Sequence, residues 1–122
     1  KTRQENAAFL SSNITEAITP AVPEGYVHVY HQYTIRLEGA TGEERDRFVT
    51  ALKEEHQVGS GVYYPIPNHR LPSLAPYAPG LELPNTEKVA AECVSLPVHP
   101  SLSQADRERI VAAVNTCAKA GA

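Results

Sequence analysis

The chain predicts a two-layer α+β domain, a small and mainly antiparallel sheet covered by helices. Three observations carry this. Residues 26–37 alternate between Val27, Val29, His31, Tyr33, Ile35 and Leu37 on one face and His28, Tyr30, Gln32, Thr34 and Arg36 on the other, the period of a strand. Thr41-Gly42-Glu43-Glu44 opens a helical pattern with a reciprocal capping pair. The elements then follow as helix, strand, helix, strand, loop, helix, short strand, helix. Neither a repeat nor an internal linker interrupts them, so residues 1–122 are one domain.

Residues 1–12 have the pattern of the end of a helix, with Ala7, Ala8, Phe9 and Leu10 apolar beside Arg3, Gln4 and Glu5. It starts without a capping residue, which suggests a helix continued from a preceding part of a longer protein. Pro20, Pro23 and Gly25 mark residues 13–25 as a connector. At about 3.3 Å per residue, the strand over 26–37 would span roughly 35 Å, long enough to expect a bulge or strong twist. The capped helix runs to about Glu55, with Phe48, Val49 and Leu52 inward and Arg45, Lys53 and Glu54 in water. Val58 to Tyr64 form a second strand, weakened by Gly59 and Gly61, where close backbone approach or a bulge is expected.

Six of the ten prolines lie between Pro65 and Pro84, a loop whose backbone is restricted rather than floppy. Pro84 suits the first position of a helix reaching about Val94, with Val89, Ala90 and Cys93 inward. Ser95-Leu96-Pro97 fits a short edge strand. Ser103 with Asp106 caps a last helix whose inward stripe is Ile110, Val111, Val114 and Cys117, and Ala120-Gly121-Ala122 is tail.

Charge and composition exclude several classes. The net charge is −3, with 42% apolar and 20% charged residues among 122, which argues against a general nucleic-acid binder. No apolar run approaches the roughly 20 residues of a membrane span. Lys1 to Ser12 lacks the apolar core of a signal peptide. Cys93 and Cys117 fall on apolar faces, the pattern of buried thiols in a reducing cytoplasm; a disulfide between them is compatible with the sequence, but nothing calls for it.

The chemistry-bearing residues gather in Val62-Tyr63-Tyr64-Pro65-Ile66-Pro67-Asn68-His69-Arg70. Loops held by a scaffold tend to carry binding groups. Arg70 offers a fork of donors for phosphate or carboxylate, and a histidine such as His69 is a side chain able to shuttle a proton. The alternative is a surface loop with a solvated Arg70 and with Tyr64 packed on proline. His31 and Tyr33, on the more apolar face of the first strand, suit either the core or the edge of a ligand site. Metal binding is not indicated, because His28 and His31 point to opposite faces and no three or four ligands converge. Ser60 between Gly59 and Gly61 only faintly resembles a hydrolase nucleophile, and no spacing ties it to a base.

Five stretches in order resemble the C-terminal domain of the DegT/DnrJ/EryC1/StrS aminotransferases, fold-type I enzymes that use pyridoxal phosphate. They are Arg3…Asn6-Ala7…Leu10, Val29-Tyr30-His31-Gln32-Tyr33-Thr34-Ile35-Arg36, Arg45-Asp46…Leu52-Lys53, Val62-Tyr63-Tyr64-Pro65-Ile66-Pro67-Asn68-His69, and Ser95-Leu96-Pro97-Val98-His99-Pro100. Asn68 departs from the family's usual apolar residue, and Gln57-Val58 stands where Gly-Ile is common. The resemblance implies the small domain of such an enzyme, with residues 1–12 ending the interdomain helix and the large cofactor-binding domain outside this chain. It implies transfer of an amino group, commonly from glutamate, to a nucleotide-linked keto-sugar by a homodimer. Tyr64 and His69 would line the sugar-nucleotide side of the cleft, with His31 and Tyr33 nearby. That Arg70 meets a diphosphate is a physical inference from its position. Lys1, Lys53, Lys88 and Lys119 do not resemble the Schiff-base lysine, so the chain alone is expected to bind no cofactor and to be inactive. The alternative is a stand-alone nucleotide-sugar-binding or regulatory module that has lost catalysis.

Overall fold

The computed structural model describes residues 1–120; Gly121 and Ala122 of the expected tail lie outside them. Four helices and two strands follow in order: α1 Thr2–Asn13, β1 Tyr33–Arg36, α2 Gly42–His56, α3 Pro84–Glu92, β2 Cys93–Leu96 and α4 Gln104–Ala120. The expected α+β architecture is present, with a small antiparallel sheet.

β1 and β2 pair with Tyr33 opposite Leu96 and Arg36 opposite Cys93. Single bridges extend the sheet on both sides, Ile18 to Arg36 and Gly61 to Ser95. The Ser95 backbone bonds both ways to Gly61, at 3.0 and 2.7 Å. Each strand is thus bridged on its outer side, so β2 is not the expected edge, and all four of its residues are buried. Of the second strand expected over 58–64, only the Gly61 bridge forms.

Tyr33, Ile35, Val94 and Leu96 meet Leu10 of α1, Phe48 and Leu52 of α2, and Ile110 and Val114 of α4 in one core. The alternate residues of β2, Cys93 and Ser95, line open clefts. Cys93 and Cys117 are free and buried.

The strand expected over 26–37 is realised only from Tyr33 to Arg36. Tyr30 has a left-handed φ of 50°, and its amide donates to the His28 ring at 2.8 Å. The carbonyls of His28, Tyr30 and His31 are taken by the Gln4 and Arg3 side chains of α1. Side chains thus satisfy the backbone where a partner strand would have done so. Tyr26, Val27 and Val29 are 75, 78 and 71% exposed, so the alternation there does not serve this core.

Both expected caps form. Thr41 Oγ1 accepts from the Glu44 amide at 3.3 Å, and Glu44 accepts from the Thr41 amide at 2.7 Å. Ser103 and Asp106 repeat the arrangement at 3.2 and 2.9 Å. Gln57 closes α2 in the left-handed conformation, φ 58°, a position that favours glycine and costs another residue about 1 kcal/mol.

Two side chains depart from expectation. Arg45, expected in water, is 3% exposed. It donates to the Ala90 carbonyl and, at 2.9 Å, to Asp46, tying α2 to α3. α3 ends at Glu92, because Cys93 and Val94 pair with β1, and Val89 faces outward.

Candidate functional site

The wall of the site leaves the sheet at Gly61. A Cβ there would lie 2.7 Å from Tyr63 Oη, so glycine is what lets the Tyr63 ring fold back over the strand. The expected close approach at this glycine is therefore a side chain's. Tyr63 and Tyr64 follow edge to face, ring centroids 5.9 Å apart. Pro65 and Pro67 restrict the turn, and the Arg70 amide closes on the Pro67 carbonyl at 2.9 Å, forming a 3-10 turn over Asn68–Arg70.

Tyr63, Tyr64 and Ile66 are half to three-quarters exposed although they sit on a restricted backbone. Two open clefts flank them. One, of about 670 Å³, runs between Tyr64, Ile66 and His69 on the loop and Leu83, Thr86 and Val89 around α3. The other, of about 690 Å³, is bounded by Arg3, His31, Gln32, Ser60, Ser95 and His99. Tyr63 and Tyr64 line both and form the ridge between them.

Behind the ridge lies a charged knot. His69 Nε2 is 2.8 Å from Glu87 Oε1, with the His69 side chain only 5% exposed. Arg70 donates to the same oxygen from Nη2 at 2.8 Å and from Nε at 3.2 Å, and the Leu83 amide approaches it at 3.4 Å. The His69 bond, then the Arg70 bonds, then that amide hold the Glu87 carboxyl down at about 2.

The residues singled out from sequence therefore separate. Tyr64 and His69 share the first cleft, and Tyr64 and His31 share the second. Arg70 lines neither; its fork is engaged by Glu87. Tyr33 is fully buried, with Oη 2.8 Å from Ser11 Oγ, and burial pushes its phenol up; it is a core residue. Glu87 and Tyr63 were not singled out. Glu87 carried one signal, an acid in the first turn of a helix, but its partners are 17 and 18 residues away.

Ser60 Oγ is buried without a hydrogen-bond partner, so no base activates it. Among the described residues no three His, Cys, Asp or Glu side chains converge as a metal site, and no helix is long and apolar enough to cross a membrane. Lys53, Lys88 and Lys119 stand exposed, at 4.0, 3.9 and 3.4 Å from Glu54, Glu92 and Glu16. None of these lysines, nor Lys1, borders either cleft. This side-chain set does not fit an aldimine-forming cofactor, which needs a lysine, a carboxylate on the ring nitrogen and a phosphate cradle together.

Known proteins resemble the chain along almost its whole length. It is 37% identical over 116 residues to a pleiotropic regulatory protein of Geobacillus stearothermophilus, covering 89% of this chain and 29% of that one. It is 38% identical over 95 residues to a UDP-N-acetyl-3-dehydro-alpha-D-glucosamine 3-aminotransferase of Acidithiobacillus ferrooxidans, covering 78% of this chain and 24% of that one. The crystal structure of S. venezuelae DesV, in complex with a ketimine intermediate, superposes with a TM-score of 0.83 at 28% identity, covering 97% of this chain and 31% of that one. The chain thus spans less than a third of the length of each. The model of the DegT/DnrJ/EryC1/StrS aminotransferase family matches residues 1–115, and the chain belongs to that family.

Proposed function

We propose that this chain is the small C-terminal domain of a pyridoxal-phosphate-dependent aminotransferase, and that it walls the sugar-nucleotide side of the active site. The observation that carries the proposal is the Tyr63–Tyr64 ridge, an exposed aromatic surface on a backbone held stiff by prolines and by Glu87. A large exposed apolar surface that is nevertheless ordered is suited to meet a partner or ligand. Aromatic faces suit a base or sugar ring, and His69 and His31 supply polar contacts on either side. The substrate class is a nucleotide-linked keto-sugar, the amino donor is glutamate, and the working enzyme is a homodimer. The covalent chemistry belongs to protein outside residues 1–122, because the lysines here face solvent and acidic partners.

Two measurements test this. Pyridoxal phosphate added to the purified chain is expected to give no lysine-dependent aldimine absorbance; such a band would overturn the claim that the chain alone is inactive. In the longer enzyme carrying this domain, Tyr64→Ala is expected to raise KM for the nucleotide-sugar about 10-fold or more, the loss of one stacking contact. An unchanged KM would sink the wall assignment.

A second reading is favoured by one observation, the relative named as a pleiotropic regulatory protein. In that reading the chain is a stand-alone module that binds nucleotide-sugars without catalysis. Calorimetry separates the two: the module predicts heat with millimolar UDP-sugar, weakened by His69→Ala, and the domain reading predicts none.

A further inference from the structure

Glu87 is the acceptor on which the wall converges. Its Oε1 meets His69 Nε2, Arg70 Nη2 and Nε, and the Leu83 amide. A carboxylate only accepts, so the imidazole nitrogen facing it carries the proton in both the neutral and the charged ring. Nδ1 has no protein partner among the described residues. His69 also borders the cleft beside Tyr64.

We propose that Glu87 is a positioning residue for the substrate wall: it holds His69 as the Nε2–H tautomer, leaving Nδ1 as the ring atom that accepts a hydrogen bond from a sugar hydroxyl or amino group. The inference rests on the reading of this cleft as the sugar-nucleotide wall. It needs an ionised Glu87 wherever imidazole titrates, and a carboxyl held down at about 2 meets that need. It also reassigns Arg70. The guanidinium sits on the same oxygen and lines neither cleft, so it braces the carboxylate from the solvent side rather than meeting substrate. Arg70 is about half exposed, and Glu87 about a third, whereas the His69 side chain is almost sealed. The histidine thus has one nitrogen fixed by a charge, on a ring that borders the cleft. A tautomer set by the partner on the opposite nitrogen is the usual way a histidine is committed to one role.

The test is the long-range 1H–15N spectrum of the chain labelled with 15N-histidine, with His69 assigned by its disappearance in His69→Gln. The wild type is expected to show His69 as a single Nε2–H tautomer above the pH at which the ring loses its charge. Glu87→Ala is expected to shift both nitrogens toward the averaged positions of a mixed population. Arg70→Ala, which loosens the same loop but leaves the carboxylate, is expected to keep the wild-type pattern. A wild-type ring already mixed, a pure Nε2–H ring in Glu87→Ala, or equal mixing in both variants would overturn the proposal. A locked tautomer together with an unchanged KM in Tyr64→Ala would instead sink the wall assignment and leave the Glu87 clamp standing.

Discussion

Tyr33 and Tyr64 represent two regions ordered by different physics. Tyr33 lies in the sheet with its ring sealed by helices and its hydroxyl on Ser11. Tyr64 is 73% exposed, on a proline-restricted loop whose His69 and Arg70 meet the Glu87 carboxylate. Burial fixes the first region, at the cost of any surface it might offer a ligand. Prolines fix the second by limiting the freedom of the unfolded chain as well as the folded one, so the side chains remain available. The contrast is between an aromatic residue fixed by burial and an aromatic face left exposed on a proline-restricted backbone.

The largest expected effect probes this contrast directly. Leu52 is fully buried between α2 and the sheet, and Leu52→Ala is expected to cost about 2–5 kcal/mol. Tyr64→Ala, on the exposed wall, is expected to stay within about 0.5 kcal/mol. Urea midpoints at constant slope measure both. A Tyr64→Ala loss comparable to that of Leu52→Ala would show that the wall is part of the core after all.

Two carboxylates sharpen the same comparison. Glu92 is 1% exposed; it accepts from Arg36 at 3.1 Å and from the Gly39 amide at 2.9 Å. Glu87 has a similar set of partners, an arginine and a backbone amide plus His69, on the solvent side. Glu92→Ala strands a guanidinium and an amide and is expected to cost about 3 kcal/mol, the low end for a broken buried pair because Arg36 is partly exposed. Glu87→Ala is expected to leave the global midpoint nearly unchanged while amide exchange quickens in residues 66–71. Equal losses from the two variants would erase the distinction between core and wall.

Sequence reasoning succeeds where one segment carries its own signal. The Thr41/Glu44 and Ser103/Asp106 caps and the stripe Phe48 and Leu52 are local properties, and they are directly visible in the hydrogen bonds and burial. It fails where a partner decides. Residues 26–32 alternate like a strand, but α1 side chains take the backbone groups that a neighbouring strand would have used. Cys93 and Val94 continue a helical pattern, but pairing with β1 draws them into the sheet. Arg45 resembles a surface arginine until the Ala90 carbonyl arrives from another helix. That Tyr64 and His69 border one cleft was legible, because they share one short motif. The contacts of Glu87 were not, because His69 and Arg70 reach it from a different element.

The smallest expected effect is pH-dependent and separates the regions without a mutation. The Glu87 carboxyl, ordinarily near 4.5, is held at about 2 by His69 first and then Arg70. An acid depressed on folding contributes its stabilisation above its unfolded value and loses it as pH falls through the folded one. The clamp is therefore intact above about pH 4.5 and released as the pH approaches 2. Glu44 and Asp106, each lowered by its capping partner, weaken the helix starts of the core in acid too, so a global melt cannot isolate Glu87. The discriminating measurement is residue-resolved, following the Tyr64 ring and His69 signals against the Ile35 and Val94 amides from pH 5 to about pH 1.5. The wall signals are expected to broaden or move as the pH approaches 2, by a few-fold in exchange rate, while the sheet amides stay protected. Glu87→Gln should flatten that transition and leave the response of the sheet amides in place. If the wall and the sheet respond together in both proteins, Glu87 does not hold the wall independently of the core.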